Sequence, residues 1–232
     1  MAPRPIFIHG AGGGPGTWQH QEPRFEGCLV VALPGHPAGT ALSSVAAYAE
    51  WTAHTIADIP GRRVLVGHSL GGAVALQVTL DHPGLADGII LVASGARLSV
   101  PDAAFNLARS DFPAACERLL RKGWPYADDE TIAAEVAVMV DNGQETLLRD
   151  YTACRDFDVH ERLADVAVPV LVIAGADDAL TPPTLAAELA DAVPRGLAVL
   201  VPDAGHWVMK EQPATVDLLI AGFLARLELS DG

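Results

Sequence analysis

The most restrictive feature of this chain is a rhythm. Short, nearly continuous apolar runs alternate with stretches whose apolar residues recur at helical spacing. The runs are Pro5 to Ile8, Cys28 to Ala32, Val64 to Val66, Ile89 to Val92, Val170 to Ala174 and Ala198 to Val201. A strand with one wet face alternates apolar and polar residues. A run that is apolar at every position suits a parallel strand buried on both faces. Helical patterns fill the gaps. One starts after Ser43 or Ser44, either a good N-cap, and runs to Ile59 with Val45, Tyr48, Ala49, Thr52 and Ile56 on one face. Others are Leu70 to Asp81, stopped by His82-Pro83-Gly84, then Pro183 to Ala192 and Ala214 to Leu227. This alternation predicts the α/β class, a mostly parallel central sheet of about six strands flanked by helices.

The rhythm stops between Ala96 and Val166. Helical patterns follow one another there without a strand: Asp102 to Arg109, Phe112 to Arg121, Asp129 to Val140 and Gln144 to Cys154. Gly123-Trp124-Pro125 and Asp141-Asn142-Gly143 punctuate them. The expected organisation is a core formed by residues 1–95 and 167–232, with residues 96–166 as a helical cap inserted between two strands. The insertion is too small, and too poor in apolar residues of its own, to be a separate domain.

Composition narrows the partners. The formal charge of −14 repels phosphate backbones and anionic lipid, so neither nucleic acid nor a membrane surface is an expected partner. No run reaches the ~18–20 apolar residues of a membrane span, and no signal peptide is visible. Cys28, Cys116 and Cys154 are odd in number and lack metal spacing, which fits a reducing cytoplasm. The oligomeric state is open.

Chemistry enters at Gly67-His68-Ser69-Leu70-Gly71, between a strand and a helix. A serine hydroxyl is a weak nucleophile until a base activates it, and it must stand proud of the backbone. A sharp strand-to-helix turn does this but crowds the chain. Glycines two residues either side relieve the crowding, which is the physical content of G-x-S-x-G. The helix that starts here points its first N–H groups to where negative charge would develop. Leu70 would supply one such donor.

A serine nucleophile needs a histidine, and the histidine an orienting carboxylate. Of eight histidines, His206 lies in VPDAGHWVMKEQP, after the last strand and before the last helix, on the sheet edge that also carries Ser69. His20, His54, His82 and His160 sit in polar or helical surroundings. His9 and His36 read as loop-fixing, and His68 would point away from the serine hydroxyl. The carboxylate is Asp177 or Asp178, after the run that ends at Ala174. The order Ser, Asp, His follows. The glycine loop His9 to Gly14 follows the first strand on the same edge. It lacks the helix, the acidic residue and the lysine of nucleotide-binding loops, and reads as a source of one backbone N–H.

IHGAGGG, ALPGHPAG, VGHSLGGAVAL, VLVIAGADDALTPP and VPDAGHWVMKEQP stand in the order of one family. The chain resembles the α/β-hydrolase fold superfamily, in its branch of small bacterial serine esterases, perhydrolases and C–C hydrolases. The resemblance covers nearly the whole chain outside the insertion. It implies Asp178 as the acid, through Gly175-x-x-Asp178-x-x-x-Pro182. It implies the N–H groups of Ala11 and Leu70 as oxyanion donors, and the insertion as a cap over the site. It also implies departures: the family's usual first two strands are missing, LPGHPAG replaces G-H-G-x-S, and Ala11 stands where an aromatic residue is frequent.

The function implied is hydrolysis of a small to medium carboxylic ester through an acyl-enzyme on Ser69, without metal or organic cofactor. C–C, thioester or lactone hydrolysis and perhydrolysis use the same residues, and a non-catalytic small-molecule receptor is the reading from another class. His68, Phe105, Trp124, Tyr126, Met139 and Trp207 are the substrate-binding candidates.

Overall fold

A computed structural model describes residues 2–229. Its centre is a six-stranded sheet: β1 (Arg4–Ile8), β2 (Leu29–Val31), β3 (Arg63–His68), β4 (Gly88–Val92), β5 (Val170–Gly175) and β6 (Gly196–Val201). All neighbouring strands are parallel, in the order β2-β1-β3-β4-β5-β6. The chain steps one way from β1 to β2 and the other way from β3 onward. Loops leaving β1 and β3 therefore diverge at their C-terminal ends, where open parallel sheets bind ligands.

The helices are α1 (Val45–Ile56), α2 (Leu70–Asp81), α3 (Asp102–Ser110), α4 (Phe112–Gly123), α5 (Asp129–Asn142), α6 (Gln144–Arg155), α7 (Pro183–Ala192), α8 (Val208–Glu211) and α9 (Pro213–Leu229). Ser44 caps α1, its hydroxyl accepting the Ala47 N–H at 3.2 Å. The helices α3 to α6 fill the stretch between β4 and β5.

Strand parity builds two cores. Ile6, Ile8, Leu65, Ile89, Leu91, Val170 and Val172 face one way, onto α1, α2 and α7. Phe7, Val64, Val66, Ile90, Val92, Leu171 and Ile173 face the other, onto Trp18 and α9 and, beyond them, side chains of α3 to α6. Both faces are dry over β1, β3, β4 and β5, which is why those runs are apolar at every position; β6 lies at the sheet edge and leaves Leu197 and Leu200 49 % and 56 % exposed, so the run Ala198 to Val201 is not buried on both faces.

At the turn from β3 into α2, Ser69 has a φ of 51°, a left-handed conformation that an L side chain rarely adopts. The strands and helix pass very close around it. A Cβ at Gly67 would lie 2.1 Å from the Gly71 carbonyl oxygen, and one at Gly71 would lie 2.3 Å from that of Ile8. Ser69 N–H donates to Val92 O at 2.9 Å, and the Ser94 hydroxyl donates to Ser69 O at 2.8 Å. Packing around the turn thus holds its strain in place.

The loop after β6 is fixed differently. Gly205 N–H donates to both carboxylate oxygens of Glu211, each at 2.9 Å. Burial pushes the Glu211 carboxyl up to about 7, outweighing the Gly205 and Trp207 N–H bonds that favour the anion. A carboxyl whose pKa rises on folding contributes stability that is complete below its unfolded pKa and lost as pH climbs through the folded one.

Two outcomes follow from these turns. Gly71→Ala should lose at least about 3 kcal/mol of stability in denaturant unfolding, the upper end of overpacking costs, because backbone rather than a movable side chain blocks the methyl. Near-native stability would contradict the close approach. For Glu211→Gln, the melting temperature relative to wild type should be more favourable at pH 8 than at pH 5. A difference independent of pH would contradict a raised carboxyl.

Candidate active site

Asp178 lies in the turn after β5 and is buried, with a relative exposure of 4 %. Its Oδ1 accepts the N–H groups of Leu180 (2.8 Å) and Thr181 (2.9 Å). Its Oδ2 accepts the Thr181 hydroxyl at 2.6 Å and lies 2.8 Å from His206 Nδ1. Burial alone would raise this carboxyl. The His206 charge and the Thr181 bonds more than offset it and hold Asp178 below the usual carboxylate range. The neighbouring Asp177 is exposed and accepts the Tyr126 hydroxyl at 2.7 Å. Of the two acids, Asp178 is the one brought to His206.

With Nδ1 donating to a carboxylate, His206 keeps its Nε2 lone pair free. The residue is held through its backbone and by neighbouring rings. His206 N–H donates to Gly123 O at 2.6 Å, at the end of α4. The imidazoles of His68 and His206 lie 4.8 Å apart, and His68 Nε2–H donates to His206 O at 3.0 Å. Trp207 stacks on Trp124, with centroids 5.7 Å apart. His68 directly precedes Ser69, so its bond ties the β3 turn to the β6 loop. Burial, and then the adjacent His206, hold His68 well below the ordinary histidine value, so it is neutral and its Nδ1 faces Gly10 as a bare lone pair.

The loop His9 to Gly14 follows β1 on the same edge. The first intrahelical bonds of α2 run to Ser69 O from Gly72 N (2.9 Å) and Ala73 N (3.1 Å). The N–H groups of Leu70 and Gly71 precede them and belong to the unpaired first turn of the helix. His9 reads correctly as loop-fixing. Its Nε2 accepts Leu33 N–H at 3.0 Å, and burial together with the charge of His36 lowers it to about 3.

The substrate-binding candidates divide. Met139 and Leu147 contact Gly12, since a Cβ there would lie 2.6 Å from Met139 Cε and 3.0 Å from Leu147 Cδ1. His68 and Trp207 flank His206, and Trp124 stacks on Trp207. Tyr126 instead is 59 % exposed, with its hydroxyl on Asp177. Phe105 is buried against Tyr151, and Arg155 lies over its ring at 4.4 Å. An aromatic residue in a helical insertion carries no sign in the sequence of which way it points.

Sequence reasoning passed over Asp150, in α6. It is fully buried and holds no solvent contact. Its signal was a carboxylate on the helix face that also carries Leu147, Tyr151 and Cys154, all buried. Lys210 of α8 is a second omission. Its ammonium pairs with Glu135 of α5, and its side chain is only 4 % exposed.

Residues 6–217 match the sequence profile of the alpha/beta hydrolase family. RutD of Klebsiella pneumoniae, provisionally named a carbamate hydrolase, is 30 % identical over 234 residues, covering 88 % of this chain and 85 % of RutD. The pimeloyl-[acyl-carrier protein] methyl ester esterase of Edwardsiella ictaluri is 30 % identical over 221 residues, covering 87 % and 85 %. Among solved structures, a thermophilic esterase superposes with a TM-score of 0.86 at 27 % identity, over 96 % of this chain and 90 % of its own. The fold built on this six-stranded parallel sheet is the one that superposes on that esterase. The chain belongs to the alpha/beta hydrolase family and is an enzyme of that family.

Proposed function

We propose that the protein is a serine hydrolase that cleaves a small to medium carboxylic ester through an acyl-enzyme on Ser69. The observation that carries this reading is the buried 2.8 Å contact between Asp178 Oδ2 and His206 Nδ1, on the sheet edge where Ser69 stands on a strained turn. An exposed Asp–His pair would be a surface ion pair of little consequence. A buried pair whose second imidazole nitrogen is left free is built to accept a proton.

The steps follow from these groups. His206 Nε2 takes the Ser69 hydroxyl proton as the oxygen attacks the ester carbonyl carbon. Asp178 holds the tautomer and stabilises the imidazolium that forms. The Ala11 and Leu70 N–H groups receive the oxyanion, at a worth of roughly 10²–10³ in rate per donor. The proton passes from His206 to the leaving alcohol, and the tetrahedral intermediate collapses to the acyl-enzyme. Water, deprotonated by His206, then attacks the acyl carbon, releasing the carboxylic acid and restoring Ser69.

Residues 96–166 act as a cap on this site. Met139, Leu147, Trp124 and Trp207, which touch the Gly12 loop, flank His206 or stack on Trp207, are the side chains that would meet the acyl or alcohol group. The esterases among the relatives and structural neighbours support an ester as substrate.

Steady-state hydrolysis of p-nitrophenyl esters of increasing acyl length tests this. Ser69→Ala should lose on the order of 10⁶ in kcat and Asp178→Asn on the order of 10⁴, with folding intact. The acyl-length optimum then sizes the space under the cap. Equal activity in Ser69→Ala would sink the proposal.

A further inference from the structure

We propose that Asp150, on the cap helix α6, is a positioning residue for the oxyanion hole. It would fix the loop that carries the Ala11 N–H, so that the cap and the catalytic machinery form one mechanical unit. This rests on the reading of Ser69 and Ala11 given above.

Asp150 is buried beyond reach of water, yet both its oxygens accept hydrogen bonds. Oδ2 accepts Gly12 N–H at 2.8 Å and His36 Nε2–H at 2.9 Å, and Oδ1 accepts the Tyr48 hydroxyl at 2.7 Å. His36 is buried with it, both side chains at 0 % exposure. The other ring nitrogen of His36 faces the carbonyl oxygens of Leu33 (3.2 Å) and Pro34 (3.1 Å). Both nitrogens therefore face acceptor oxygens. The result is a buried histidine–carboxylate pair in which both ring nitrogens and both carboxylate oxygens have partners, the condition under which such a pair is tolerated.

Stability alone does not require such a pair, because apolar residues of similar volume often do as well or better. What apolar residues cannot do is hold a backbone N–H. The Gly12 N–H is that of the residue directly after Ala11, and Gly12 is held at a φ of +65°. The same loop is gripped from the other side. Asn142, the last residue of α5, donates from Nδ2 to Gly12 O (2.9 Å) and to Gly13 O (2.6 Å). Two cap residues thus bind the N–H and the C=O of one peptide-bearing residue, twisting it into a set orientation. The Ala11 N–H itself lies in the Gly10–Ala11 peptide, and that plane is tied to the gripped segment through its carbonyl: Gly10 O accepts the Gly13 N–H at 3.2 Å, from the same peptide whose Gly12 O Asn142 holds. Oxyanion donors act only when aimed at where the charge develops, and a displacement of about 1 Å can cost on the order of 10² in rate.

Kinetics of four variants on one p-nitrophenyl ester, with inhibition by an alkylboronic acid, test this. The boronic acid forms a tetrahedral adduct on serine that places an oxygen among the oxyanion donors. Asp150→Ala should lower kcat at least tenfold and leave KM within about twofold. Its Ki for the boronic acid should rise as much as kcat falls. Asp150→Asn keeps an oxygen for Gly12 N–H and His36, while its amide can donate to Tyr48, so it should restore kcat to within about threefold. Asn142→Ala should reproduce the kcat loss, and it decides the matter if Asp150→Ala does not fold. Thr146→Val removes another cap-to-core bond, to Gly35 O, without touching the loop, and should leave kcat and boronic acid affinity unchanged.

Unchanged kcat in Asp150→Ala, or in Asn142→Ala where Asp150→Ala is unfolded, overturns the proposal. So does an equal loss in Thr146→Val. If Ser69→Ala abolishes turnover while the cap variants do not alter it, the positioning role alone fails. If Ser69→Ala is active, the serine reading fails and the positioning role with it.

Discussion

At the turn after β3 two backbone segments pass closer than any side chain allows. The Gly71 carbonyl occupies the space a Gly67 side chain would need, and the Ile8 carbonyl that of Gly71. This contact lets α2 begin against the sheet with its N-terminus at the end of β1. It also forces Ser69 into left-handed geometry, which lifts its side chain off the strand. The glycine loop after β1, the first N–H groups of α2 and the serine share one small region because of this approach. A strained residue of this kind persists only when its surroundings over-determine it. Here the Val92 and Ser94 bonds and the dry sheet beneath do so.

Around that turn, hydrogen bonds convert topology into electrostatics. β5 and β6 are neighbours, so the loops after them meet, and Asp178 reaches His206. β3 lies two strands away from β5, and the contact is closed by His68, whose Nε2–H binds the carbonyl of His206. The two histidines divide the work according to their partners. His68 faces a carbonyl and is buried neutral, whereas His206 faces the Asp178 carboxylate. The helices between β4 and β5 are built into the same system. Gly123 O receives His206 N–H, Glu135 pairs with Lys210, and Asn142 and Asp150 hold the β1 loop.

Much of this was legible in the sequence because the signals are local. Unbroken apolar runs gave the strands, and the strand-to-helix context gave the G-x-S-x-G turn its meaning. Ser69, Asp178 and His206 were reachable through loop positions at strand ends. The choice of Asp178 over Asp177 needed more than adjacency: the Leu180 and Thr181 N–H groups, the Thr181 hydroxyl and His206 distinguish them physically, and these partners come together only in the folded protein. Asp150 was out of reach for a plainer reason. Its partners Tyr48, His36 and Gly12 lie 102, 114 and 138 residues away, and no local pattern reports a contact made at that separation. Phe105 and Tyr126 show the complementary failure, since an aromatic side chain in a helical segment fits the core, the site or the surface equally well until the helices are packed.

The central claim is that Ser69 becomes covalently acylated. The most direct measurement is intact-mass and peptide mass spectrometry of protein quenched in acid during turnover of a p-nitrophenyl ester. A mass increase equal to one acyl group, located on the peptide containing Ser69 and absent in Ser69→Ala, is the expected result. Turnover with no acyl adduct at any quench time in wild type and in a variant slowed at His206, or an adduct on Ser94 instead, would contradict nucleophilic attack by Ser69.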